Sequence, residues 1–63
     1  MKITIRAARV NAGLKQTDVA SAMNVSRETV RNWEKGVTKP TIDKVEHLCN
    51  LLGVTYDDII WNF

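Results

Sequence analysis

The segment SRETVRNWEKG, residues 26–36, interleaves polar side chains with apolar ones. Four of the polar residues are Arg27, Glu28, Arg31 and Asn32. At about 100° per residue, Val30 and Trp33 fall on one side of a helix, and the four polar residues spread over roughly 140° on the other side. Side chains of this mixture supply both donors and acceptors, which is the chemistry needed to bind the edges of nucleic-acid bases. The spacing therefore predicts a helix that packs its apolar side and presents the polar side outward.

The charge of the chain is small overall but unevenly placed. The net charge is +2. Residues 1–39 hold eight lysines and arginines against three acidic residues, whereas residues 40–63 hold one lysine against four acidic residues. Two explanations stay open at this point: a basic face that binds a polyanion beside a separate acidic half, or solvated surface with chance clustering.

Length and periodicity predict one domain, residues 1–63, built as an all-α compact bundle of five short helices. Strand signals are nearly absent, since only KITI alternates and it is too short to form a sheet by itself. The first predicted helix begins after Thr4, the second spans Gln16–Met23, and the third spans residues 26–35. The fourth opens at Pro40 and Thr41 and ends at Gly53, and a short fifth helix covers about residues 56–60. An apolar stripe of Ile42, Val45, Leu48, Cys49 and Leu52 runs along the fourth helix.

The second and third helices are joined by a tight turn, because Asn24 tolerates the left-handed conformation and Ser26 can cap the next helix. Two helices joined in this way, the second with an outward polar face, form a helix-turn-helix. The major groove of B-DNA admits one helix, and Lys15, Lys35 and Lys39 flank the segment as candidate phosphate partners. The alternative is the solvated face of a small helical bundle.

Residues 16–36, QTDVASAMNVSRETVRNWEKG, together with Pro40, resemble the Cro/cI-type (XRE-type) helix-turn-helix family, whose members include phage repressors. The resemblance extends over residues 5–60 and includes the later pairs Leu48-Cys49 and Leu52-Gly53. It implies a lambda-repressor-like DNA-binding domain. Asn24 departs from the family pattern, in which glycine often holds this turn position.

The resemblance also assigns roles to individual positions. It implies base contacts by Gln16, Arg27, Glu28 and Asn32, and a backbone approach to phosphate in the Gly36–Lys39 loop. We expect phosphate contacts by Lys15, Thr17, Arg31, Lys35, Thr38 and Lys39. It implies a structural ion pair between Arg9 and Glu34, so Glu34 would not face DNA. Glu28 keeps two interpretations: its carboxylate accepts from cytosine N4, or it steers Arg31 or Asn32 through a contact within the helix.

Other kinds of chemistry lack the residues they need. Paired carboxylates, a nucleophile with its base and a phosphate-cradling glycine loop are all missing from the sequence, so we expect no enzyme and no cofactor. His47 is the single histidine, and we expect no metal site. Cys49 is interpreted as a small core residue. We expect no membrane contact, no small-molecule ligand and a cytoplasmic protein, bacterial or phage-encoded and associated with the nucleoid.

These observations predict a sequence-specific regulator that binds double-stranded DNA, most simply a minimal repressor that occupies an operator with helix 26–35 in the major groove. The alternative is an antitoxin-like or other protein-interaction module on the same fold. We expect a homodimer that is weak in solution, is strengthened on DNA and reads a pseudo-palindromic operator. The aromatic residues Tyr56, Trp61 and Phe63 are the candidate dimer contacts, although Trp61 and Phe63 could instead cap the core against Met1 and Ile3.

Overall fold

Four α-helices and one pair of short strands make up residues 2–61, the part of the chain that a computed structural model describes. In chain order these are β1 (Ile3–Thr4), α1 (Ile5–Asn11), α2 (Gln16–Met23), α3 (Arg27–Lys35), α4 (Ile42–Leu52), a 3₁₀ turn (Tyr56–Asp58) and β2 (Ile59–Ile60). The mostly helical fold and the helix-turn-helix predicted from the sequence are both present.

Capping residues define the helix ends. The hydroxyls of Thr4, Ser26 and Thr41 accept hydrogen bonds from the backbone N–H groups three residues further on, at the starts of α1, α3 and α4. Asn24 ends α2 in the left-handed conformation, with φ of 56°. Its side chain makes that conformation accessible to a non-glycine residue. The ends predicted for α2 and α3 are therefore confirmed.

The helices enclose one apolar core. Its buried members are Ile5, Ala8, Val19, Ala20, Met23, Val30, Trp33, Leu48, Cys49, Leu52 and Ile59. Ile42 was expected in the apolar stripe of α4, and that expectation was wrong, because its side chain is 86% exposed. It is the first residue of α4 and lies about 70° from the centre of the stripe, where no neighbouring element covers it.

The prediction of a fifth helix over residues 56–60 was also wrong. Only Tyr56–Asp58 turn, as a single 3₁₀ turn, and the chain then extends as β2. In a parallel pair, Ile3 lies opposite Ile59 and Thr4 lies opposite Ile60. β-Branched isoleucines favour an extended backbone, and their partner strand comes from the other end of the chain. Local periodicity does not report such a distant partner.

The turn between α2 and α3 fixes the relation of the two helices. Beyond Asn24, the N–H of Val25 donates to the carbonyl of Ala20 at 2.9 Å, which ends α2 sharply. Ala20 is buried and has only a methyl group, so the two helices approach closely. Val30 is fully buried beneath α3. The buried side of α3 therefore packs closely against α2, and the polar face of α3 points outward.

Candidate nucleic-acid interface

The outward face of α3 is divided into two stripes of different charge. Arg27, Arg31 and Lys35 follow one another at intervals of four residues and form an exposed basic stripe. Beside it, Glu28 and Asn32, also four residues apart, form a stripe that offers a carboxylate and an amide. Behind both stripes, the apolar side of the helix is buried in the core. A single rigid helix thus presents cations and hydrogen-bonding groups side by side.

The basic stripe opens onto a concavity of about 700 Å³ where α1, the start of α2 and α3 meet. We call this concavity the basic cleft. Its lining consists of Arg6, Arg9, Lys15, Gln16, Thr17, Arg27, Arg31, Glu34 and Lys35. Six of these side chains are cationic and one is a carboxylate. The cleft therefore has a strong excess of positive charge, which favours an anionic ligand.

An ion pair forms the inner part of the basic cleft. Nε of Arg9 lies 2.6 Å from Oε2 of Glu34, and the side chains are only 12% and 5% exposed. Nη1 of Arg9 also donates to the carbonyl of Leu14 at 2.9 Å. The carboxylate is thus occupied inside the protein, on the side that joins α1 to α3. Glu34 adds little negative charge to the outer surface.

Gln16 belongs to the same network. Its Nε2 donates to Oε1 of Glu34 at 3.1 Å, and the residue is half-buried. An amide has two N–H donors and one carbonyl acceptor, so one donor is used inside the protein. The remaining donor and the carbonyl oxygen are the groups that Gln16 can offer to a ligand. This contact links the first residue of α2 to the last turn of α3.

Glu28 and Arg31 approach each other on the surface of α3. An oxygen of Glu28 lies 3.6 Å from Nη1 of Arg31, and the side chains are 67% and 49% exposed. This is the contact that the steering interpretation of Glu28 requires. Exposed pairs of this kind contribute at most about 1 kcal/mol, so the contact does not hold Glu28 in one position. The carboxylate remains accessible as an acceptor.

The other predicted phosphate contacts lie at the margins. Lys15 and Thr17 are exposed at the start of α2 and line the basic cleft. Thr38 and Lys39 are exposed in the loop that follows α3, and Lys39 lines a different concavity, on the α4 side. The structure therefore brings Lys15 and Thr17 to the cleft and leaves Thr38 and Lys39 outside it. Arg6 was not predicted as a site residue, although it precedes Arg9 by three residues and so shares its side of α1.

The second concavity, of about 670 Å³, lies between α4 and the residues that follow it, and we call it the apolar groove. It is lined by Ile42, Val45, Val54, Tyr56 and Trp61 together with polar neighbours. Tyr56 is 60% exposed, and its ring lies 5.4 Å from that of Trp61, centroid to centroid. Trp61 is half-buried and packs against the core. Phe63, the third candidate dimer contact, and Met1 lie outside the described residues.

Two side chains near α4 have altered acidity. Burial, with a smaller effect of the Asp58 charge, raises the pKa of the Cys49 thiol, so the thiol stays neutral at pH 7. Hydrogen bonds from the backbone N–H and the hydroxyl of Thr55 lower the pKa of Asp58.

Within residues 2–61 no three potential metal ligands come together. None of the helices in the same range has the length and apolar content needed to cross a membrane.

Comparison with known sequences identifies the class of protein. Residues 5–59 match a sequence model of the helix-turn-helix family, so the chain belongs to that family. The assignment confirms the family predicted from the sequence.

Among curated proteins, the chain is similar to the cryptic phage CTXphi transcriptional repressor RstR of Vibrio cholerae, with 34% identity over 56 residues. The matched region is 89% of this chain and 50% of that protein, so the chain spans about half the length of this relative. No solved structure matches the chain.

Proposed function

We propose that this protein is a sequence-specific regulator of transcription that binds double-stranded DNA with α3 in the major groove. The observation that carries the proposal is the outward face of α3, whose polar stripes adjoin the basic cleft while its apolar side is buried. A reading helix requires a packed back, hydrogen-bonding groups in front and cations beside them. The major groove, about 12 Å wide, admits a single helix of this kind.

The two stripes of α3 take different parts of the DNA. Glu28 and Asn32, the less basic stripe, contact base edges, where a carboxylate accepts from cytosine and an amide pairs with adenine. Arg31 and Lys35 contact the phosphates of the adjoining strand, which enters the basic cleft. Arg27 lies at the start of α3, and we assign it to a base edge, a guanine by preference.

Repression by occupancy of an operator is the simplest mode of action. The likeness to a protein named as a phage transcriptional repressor supports it. A protein bound with α3 in the groove excludes polymerase from an overlapping promoter without any further chemistry.

The apolar groove supports a second part of the proposal, a homodimer on DNA. One reading helix contacts only a few base pairs, whereas specific sites are bound about 10³–10⁷ times more tightly than other DNA. Two copies on a two-fold axis, with half-sites about 34–36 Å apart, supply that ratio. The exposed side chains of Ile42 and Tyr56 at the groove are the proposed contact. An antitoxin-like role would instead place a different protein there.

Selection from random duplexes with the purified protein tests the DNA-binding proposal. We expect enrichment of a pseudo-palindromic sequence and an affinity that falls steeply with salt.

The variant Arg27→Ala should lose about 1–3 kcal/mol of specific affinity and relax preference at one base pair. By contrast, Lys39→Ala should weaken binding to all sequences alike and reduce the salt slope by about one. Absence of any enriched sequence, with salt-independent binding, would overturn the proposal.

A further inference from the structure

Arg6 is an exposed cation on α1 that lines the basic cleft. It lies one helical turn before Arg9, whose guanidinium is occupied by Glu34 and by the carbonyl of Leu14. Within residues 2–61, no carboxylate lies within 4.0 Å of the guanidinium of Arg6. The two arginines of α1 therefore differ: Arg9 serves the interior, and Arg6 directs its charge to the cleft.

The charge of the cleft is not balanced within it. Its one carboxylate, Glu34, already interacts with Arg9 and Gln16. The exposed cations Arg6, Lys15, Arg27, Arg31 and Lys35 consequently repel one another across a shared concavity. Repulsion among neighbouring charges opposes folding, and a bound polyanion removes it. A run of phosphates matches this arrangement, since it presents several negative charges to cations on α1, on α3 and at Lys15, the residue that precedes α2.

We propose that Arg6 binds a backbone phosphate of the DNA, so that α1 is a third DNA-contacting element beside α2 and α3. The inference rests on the proposed DNA-binding function and names a contact within the same site. A planar guanidinium donates two parallel hydrogen bonds to a phosphate, which a lysine ammonium does not. The role of Arg6 is to strengthen binding to every sequence and to orient α1 along the strand, without reading any base.

The test compares Arg6→Ala, Arg6→Lys and a control, Lys44→Ala, on the selected operator duplex and on an unrelated duplex. Lys44 is on α4 and does not line the cleft, and its substitution by alanine removes the same charge as Arg6→Ala. For each bound protomer, Arg6→Ala should reduce the slope of log affinity against log salt by about 0.9. The ratio of wild-type to Arg6→Ala affinity should accordingly fall roughly 3.5-fold per protomer between 50 and 200 mM salt. The same change is expected on both duplexes, and Lys44→Ala should leave the slope unchanged.

Ethylation interference on the operator locates the contact. We expect that one phosphate in each half-site interferes with binding of the wild type and no longer interferes with Arg6→Ala. In the Arg6→Lys variant, the salt slope should return while part of the affinity stays lost. An unchanged slope and an unchanged interference pattern in Arg6→Ala, with wild type still bound, would overturn this inference alone. Failure of the wild type to bind any duplex would instead overturn the proposed function on which it rests.

Discussion

At the scale of single residues, the pair Arg9–Glu34 shows how a charged residue can line the cleft proposed to bind DNA and yet stabilise the fold. Glu34, on α3, accepts hydrogen bonds from Arg9 on α1 and from Gln16 on α2. Because both charged side chains are nearly buried, each depends on the other for compensation. The pair therefore ties three helices together beneath the basic cleft.

Removing either partner should destabilise the protein strongly. Arg9→Ala and Glu34→Ala should each lower the free energy of unfolding by about 3–5 kcal/mol, because each leaves an uncompensated charge in the interior. The double variant should cost much less than the sum of the two. Urea unfolding of the four proteins in a double-mutant cycle measures the coupling, with Gln16→Ala, which loses one hydrogen bond worth about 1 kcal/mol, as the reference. A coupling energy near zero would show that the pair has no structural role.

Asp58 gives the fold a dependence on acid. Hydrogen bonds from Thr55 lower the pKa of Asp58 in the folded state. Its carboxylate therefore stabilises the protein at pH values above the pKa that Asp58 has in the unfolded chain, about 3.9. That contribution is lost as the pH falls through the lower, folded value. We expect Asp58→Asn to be less stable than wild type at pH 7 and the difference to shrink below about pH 4. Urea midpoints at both pH values measure it, with Glu46→Gln as the charge-matched control. A difference that is constant with pH would contradict this assignment.

At the scale of elements, the sequence predicted features that are set by residues within one turn of each other, but not features that depend on distant residues. The ends of α2 and α3 follow from Ser26, Asn24 and Gly36, each of which acts within one turn of the chain. The parallel strands did not follow, because Ile59 finds its partner at the opposite end of the sequence. In the site, the periodicity of α3 placed Arg27 and Asn32 outward. It did not reveal that Arg6 lines the same cleft, since that depends on how α1 packs.

The cap of α3 offers a direct test at this scale. The hydroxyl of Ser26 accepts from the N–H of Thr29 at 3.1 Å, and Ser26→Ala should lower the free energy of unfolding by about 1 kcal/mol. The control is Ser21→Ala, at an exposed position inside α2, where alanine is the better helix former. Thermal unfolding of the two variants compares them. Equal stability of both variants would mean that the Ser26 cap does not stabilise the start of α3.

At the scale of the whole molecule, the basic cleft and the apolar groove separate two tasks. The cleft involves α1, α2 and α3, whereas the groove involves α4 and the residues beyond it. The uneven charge of the chain agrees with this separation, because none of the four acidic residues of residues 40–63 lines the cleft. A second copy could therefore dock at the groove while both copies keep their clefts on DNA.

Sedimentation with and without an operator duplex tests the dimer. We expect two proteins per duplex at saturation, and a weak dimer in free solution. Ile42→Ser and Tyr56→Ala should reduce the cooperativity of binding, because they remove exposed apolar surface at the groove. The control Val10→Ser removes a comparably exposed apolar side chain on α1. One protein per duplex at saturation would refute the dimer, and unchanged cooperativity in both groove variants would place its interface elsewhere.

The pairing of Ile3 with Ile59 has a consequence for how the molecule opens. Closing a loop that contains most of the chain costs entropy of roughly 3–4 kcal/mol, and only two residues on each strand hold it closed. This pairing should form last in folding and separate first in native-state fluctuations. Since α1 begins directly after β1, its amide protons should exchange with solvent ahead of those in α2 and α3. The phosphate contact proposed for Arg6 would then be lost while α3 is still folded.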